Sequence, residues 1–157
     1  MSTETQNPDF RLRAINELAN FNFFVDDYQR GYKWTAQQAL DLVNDIDDFS
    51  TDQGIYCLQP IVIKKRSTIE DHIRAIFEGR NNIYELIDGQ QRMTTIYIIL
   101  AIIDNSKTFF SIAYGTRPAS AEFLNNITCL PRVEATHINL DNVKKAIATI
   151  NLHWENY

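Results

Sequence analysis

The densest polar signal in the chain is Ile87-Asp88-Gly89-Gln90-Gln91-Arg92-Met93-Thr94-Thr95. An apolar run ends at Ile87, Gly89 permits a tight turn, and a helical pattern starts near Gln90. The first amides of a helix have no intrahelical acceptor and carry a partial positive charge, which suits an anion. Arg92 adds a full charge and a two-pronged donor face that fits phosphate. Gln90, Gln91, Thr94 and Thr95 add neutral donors. Asp88 has three tasks open to it: positioning Arg92, holding a magnesium ion through water, or orienting a hydrolytic water. A purely structural alternative has Asp88 capping the helix, Gly89 making the turn and Arg92 solvated in the first turn. The spacing is not that of a Walker loop.

A second cluster, Tyr28-Gln29-Arg30-Gly31-Tyr32-Lys33-Trp34, lies upstream. Aromatic faces stack on bases, and Arg and Lys pair with phosphates. The alternative is an arginine packed between rings in a structural loop. A third, weaker cluster is Tyr114-Gly115-Thr116-Arg117-Pro118, whose Arg117 also reads as an ordinary exposed arginine.

These clusters need elements to hold them. Arg11 to Ala19 places Leu12, Ile15, Leu18 and Ala19 on one helical face. Phe21 to Val25 is aromatic and β-branched and reads as a strand ending in a turn at Asp26-Asp27. Thr35 and Gln38 have the spacing of a capping box, followed by a helix with Ala39, Leu42, Val43, Ile46 and Phe49 inward and Asp41, Asp45 and Asp48 opposite. Ile55 to Lys64 is strand-like, with Pro60 forcing an edge or a bulge. Thr68 is expected to cap a helix carrying Ile69, Ile73, Ile76 and Phe77, stopped by Gly79. Asn81-Asn82 then turns into a strand Ile83 to Ile87. The helix from Gln90 buries Met93, Ile96, Ile99, Leu100 and Ile103. Phe109 to Tyr114 is a further strand, and Pro118 and Ser120 start a short helix with Phe123 and Leu124. Residues 139–157 carry an amphipathic helix through Leu140, Val143, Ile147, Ile150 and Trp154. That helix either docks on its own core or is covered by a part of a longer protein, and it could also pair with a copy of itself. Strands and helices in irregular order make the fold class α+β, with residues 1–9 as a disordered tail and 10–157 as a single domain.

The chain has 157 residues, enough for one core. With 45% apolar and 22% charged residues, its composition is that of a soluble globular protein and excludes global disorder. A net charge of −5 gives no general pull on nucleic acid or anionic membrane. The only dense basic run is Lys64-Lys65-Arg66. Two cysteines, Cys57 and Cys129, without a secretory pattern point to a reduced, cytoplasmic setting. The longest apolar run, Ile96 to Ile103, falls well short of the roughly 20 residues that a bilayer span requires.

Taken together, Tyr28-Gln29-Arg30 with Trp34, the stretch Tyr56-Cys57-Leu58-Gln59-Pro60-Ile61-Val62-Ile63, and Tyr84 to Ile96 resemble the GmrSD-type N-terminal domain family, the DGQQR-motif family of bacterial anti-phage restriction systems. Tyr114 to Arg117, Ser120, Phe123 and Leu124 resemble its later segment, so the likeness runs over roughly residues 10–157. The resemblance implies a ParB/sulfiredoxin-like α+β fold, with a small mixed sheet flanked by helices. It also implies binding and Mg2+-dependent hydrolysis of a nucleoside triphosphate, coupled to restriction of modified phage DNA. On the matching positions, Asp88, Gly89, Gln90, Gln91 and Arg92 would form the nucleotide motif, with Asp88, Gln91 and Arg92 catalytic and Asp88 the metal ligand. Tyr28, Gln29 and Arg30 would wall the same pocket, and Thr94, Thr95 and Arg117 would add contacts to the nucleotide. The chain departs from the family at Gly31, where proline is usual, at Met93, where leucine is usual, and at Gln59-Pro60, where many members have Gly after Leu. Members often continue into an HNH nuclease, but His72, His137 and His153 form no such constellation here. The expectation is therefore the amino-terminal part of a longer protein, meeting modified DNA through missing domains or a partner chain. Three alternatives remain open: a nucleotide switch without turnover, a DNA-binding module, and an inactive fragment in which the motif is a structural relic.

Overall fold

Every residue of the first strand is buried, because strands flank it on both sides and helices cover both its faces. The computed structural model describes residues 11–49, 54–103, 109–115 and 124. Its elements run β1 (Asn22–Val25), α1 (Ala36–Asp48), β2 (Val62–Lys65), α2 (Asp71–Ile76), β3 (Ile83–Asp88), α3 (Gln90–Ile103) and β4 (Ser111–Tyr114). The sheet order is β2-β3-β1-β4. β1 is parallel to β3 and to β4, while β2 runs antiparallel at the outer side of β3. This small mixed sheet with helices is the α+β class expected.

Strand alternation divides the core into two layers. Phe23 and Val25 of β1, Leu86 of β3, and Ile112 and Tyr114 of β4 pack with Ala39, Leu42 and Val43 of α1 and with the buried residues of α3. Phe24, Ile83 and Ala113 point to the other face and meet Ile73 of α2 and Phe77 at its end. Parallel strands buried on both faces read as continuous apolar runs, as Phe23-Phe24-Val25 does.

The local signals mostly hold. Thr35 caps α1: Gln38 N donates to Thr35 Oγ1 at 3.3 Å, and Thr35 N donates to Gln38 Oε1 at 2.9 Å. Three elements are shorter than their patterns suggest. The expected helix over Arg11 to Ala19 is a 3-10 turn, Ile15–Leu18. Leu12 is 76% exposed and only Ile15 and Leu18 reach the core, so the packing holds one turn and not a longer helix. The strand expected over Ile55 to Lys64 begins only at Val62, beyond Pro60, and its register shifts between Val62 and Ile63. α2 starts after Glu70 rather than Thr68. α3 spans its expected range, but Thr94, Thr95, Tyr97 and Ile98 are buried along with Met93, Ile96 and Ile99, so it is enclosed nearly all round rather than along one stripe. Leu124 is buried, and its carbonyl accepts from Tyr97 Oη at 3.2 Å. The rest of the expected short helix after Pro118, the helix over 139–157 and the tail 1–9 lie outside the described residues.

Candidate functional site

Because β1, β3 and β4 are parallel, the segments that leave them gather at one end of the sheet, the usual place for ligands in open α/β sheets. Asp26 to Lys33 follows β1, Asp88 to Arg92 follows the end of β3, and Gly115 follows β4. Gly115 cannot carry a side chain: a Cβ there would lie 2.6 Å from Asp27 Oδ1 and 2.6 Å from Phe24 Cζ. Gly89 turns the chain with φ +94°, and a Cβ would lie 2.6 Å from Ile61 Cγ2. Asp88 Oδ1 accepts the Gly89 amide at 2.9 Å. The first α3 ladder bond, Met93 N to Gly89 O at 2.9 Å, leaves the amides of Gln90, Gln91 and Arg92 ahead of the ladder.

The two strongest polar clusters of the sequence meet here. Gln91 Oε1 accepts the Lys33 amide at 2.6 Å, and Gln91 Nε2 donates to Gly31 O at 3.0 Å. Gln29 Nε2 donates to Leu86 O at 2.7 Å. Its Oε1 is buried with no hydrogen-bond partner among the described residues. Tyr28 Oη donates to Glu85 Oε1 at 2.6 Å, and this bond is the main influence raising the Tyr28 phenol above its ordinary pKa. Arg66 reinforces the arrangement from below. It lies within 3.5 Å of Asp26, 3.8 Å of Glu70 and 4.0 Å of Glu85, with its guanidinium 5.3 Å from the centre of the Phe24 ring. Arg30 is exposed and has no partner among the described residues.

Arg92 turns toward a groove of about 440 Å³ between α1 and the segment before β2, lined among others by Trp34, Asp41, Asp45, Tyr56 and Gln59. Its guanidinium donates from Nη1 to Gln59 O and from Nη2 to Gln59 Oε1, each at 2.8 Å. No carboxylate pairs with it among the described residues.

Thr94 and Thr95, expected to offer donors to a nucleotide, sit in the core with no exposed surface. Thr94 Oγ1 pairs with Tyr114 Oη at 2.7 Å, and Thr95 Oγ1 with Tyr32 Oη at 2.7 Å. The cause is the enclosure of α3, which turns both hydroxyls toward buried tyrosines. Burial pushes the Tyr32 phenol up to about 12 and raises that of Tyr114 still further. Arg117 lies outside the described residues. The grip of Gln59 on Arg92 and the Arg66–Glu85–Tyr28 chain were not foreseen. The only sequence hint was the departure at Gln59-Pro60.

Among the described residues no group of three or more His, Cys, Asp or Glu side chains could hold a metal ion. Asp88 is an exposed single carboxylate. That fits Mg2+ held jointly with phosphates and water, the common arrangement for this ion, and not a cage built from protein alone. No helix among the described residues is long and apolar enough to cross a membrane.

The model of the GmrSD restriction endonuclease N-terminal domain matches residues 12–153. The chain belongs to that family. No curated protein and no solved structure matched it. As a GmrSD N-terminal domain it is part of a restriction system, and the matched range contains the whole junction between the Tyr28–Trp34 and Asp88–Arg92 segments.

Proposed function

We propose that this domain binds a nucleoside triphosphate at the end of β1 and β3 and hydrolyses it, as a cytoplasmic module of a bacterial system that restricts modified phage DNA. The observation that carries the reading is the pair of hydrogen bonds between the Gln91 side chain and the backbone of Gly31 and Lys33. It joins two polar segments that are far apart in sequence, next to an arginine whose charge no carboxylate cancels. Phosphoryl transfer asks the protein for positioning and charge neutralisation rather than covalent work. Arg92 would meet the phosphates, with Arg30 as a second cation and the free amides at the start of α3 as donors. Gln91, Gln29 and Tyr28 hold the loop that closes over them. Asp88 would hold Mg2+ together with the phosphates, and the ion would neutralise charge on the transferred group. DNA, opposed by a net charge of −5, would be met by another domain or a partner chain.

The test is phosphate release from several nucleoside triphosphates in the presence of Mg2+. Arg92→Ala and Asp88→Ala should each lower the rate by at least about tenfold, the range for removing one charge-stabilising group. Wild-type rates in both variants would overturn the reading. A thermal shift on adding nucleotide with no phosphate released would turn it into a switch without turnover.

A further inference from the structure

We propose that Gln59 is a positioning residue for Arg92, holding its guanidinium along the groove by neutral acceptors so that its orientation is set without a carboxylate paired to it. This rests on the nucleotide reading above. One residue grips both terminal nitrogens: its carbonyl takes Nη1 and its side-chain oxygen takes Nη2, each at 2.8 Å. The Pro60 carbonyl stands 3.5 Å from Nη1. Gln59 can do this because it lies before β2, so no sheet ladder claims its carbonyl. Pro60 also confines the residue ahead of it to extended backbone.

The same molecule shows the opposite treatment of an arginine. Arg66 has three carboxylates within 4.0 Å and is fully neutralised as a structural tie. Among the described residues Arg92 bonds only to carbonyl and amide oxygens, and Asp41 and Asp45 line the groove without pairing with it. A guanidinium carries five N–H donors, so those not used by Gln59 remain for a polyanion. The rotamer freedom of a long side chain is then given up before a ligand arrives, which leaves more of the contact energy for binding.

Titration calorimetry with inorganic triphosphate and with ATP, alongside thermal melts, would test this on wild type, Gln59→Glu and Gln59→Met. In Gln59→Glu the grip becomes an ion pair that cancels the charge of Arg92. Its melting temperature should hold or rise, while affinity for inorganic triphosphate falls at least about tenfold, the size of a lost charge-assisted hydrogen bond. Gln59→Met keeps the carbonyl contact and the charge, and should lose only about two- to fivefold, consistent with one neutral hydrogen bond. A folded Gln59→Glu protein that binds triphosphate as wild type does would overturn the role of Gln59 and leave the nucleotide reading standing. Equal losses in both variants would reduce Gln59 to packing and also overturn it. If wild type binds neither probe, the nucleotide reading falls, and this inference with it.

Discussion

Gly89 does two jobs at one atom. Its φ of +94° is a conformation that side chains with a Cβ resist, and Ile61 occupies the space where that Cβ would go. Gly89→Ala should therefore destabilise the domain by about 2 to 4 kcal/mol, from backbone strain plus overlap with a neighbour. Urea unfolding is the measurement. In an Ile61→Ala background the cost of the same change should drop to about 1 to 2 kcal/mol, because the Cγ2 overlap goes while the Cβ at 61, 3.2 Å away, remains beside the strained backbone. Polar residues at this scale were legible in type more than in use. Asp88, Gln91 and Arg92 were readable from the turn they occupy, since a strand end, a glycine and a helix start leave little choice of placement. Thr94 and Thr95 were misjudged because a helical stripe says which residues face inward only when one face is wet, and α3 is enclosed on nearly every side. At Gln59 the sequence shows only a departure from the family pattern, because its partner comes 33 residues later in the chain.

At the scale of elements, the start of α1 is set by a local exchange between Thr35 and Gln38 that needs nothing from the rest of the fold. Thr35→Ala should cost about 1 kcal/mol in chemical denaturation, with Gln38→Ala costing less because the orphan amide it serves can turn to water. Such devices are written within a few residues, which is why the boundaries of α1, β1 and α3 follow from the chain order of side-chain types. The span before β2 does not. The apolar stretch from Ile55 onward suggests a long strand, yet Pro60 has no amide to give to a ladder, and pairing with β3 begins past it at Val62. That shortening is what frees Gln59. The 3-10 turn Ile15–Leu18 shows the same limit from the other side: Ile15 and Leu18 reach the core while Leu12 stays in solvent, and two anchored residues do not carry a longer helix.

For the whole molecule, the alkaline limit is set by two buried phenols. Tyr32 is held neutral to about pH 12, and Tyr114 is raised beyond it, chiefly by burial. In the unfolded chain both would ionise near pH 10, so above that pH the unfolded state binds fewer protons and stability falls as pH rises. Below pH 10 the contribution is complete. The loss for Tyr32 alone should reach about 2 kcal/mol by pH 12. Urea midpoints followed from pH 8 to pH 12 should decline above pH 10, and Tyr32→Phe should flatten part of that decline while lowering stability at neutral pH through its lost bond to Thr95. The pairing of β1 also has a bearing on biogenesis. Phe23 has Tyr84 on one side and Ile112 on the other, so a nascent chain that has delivered only α1 and β2 holds its central strand with neither neighbour yet made. The partners of β1 are made in the order β3 and then β4, and until β3 emerges Phe23, Phe24 and Val25 have no strand to lie beside.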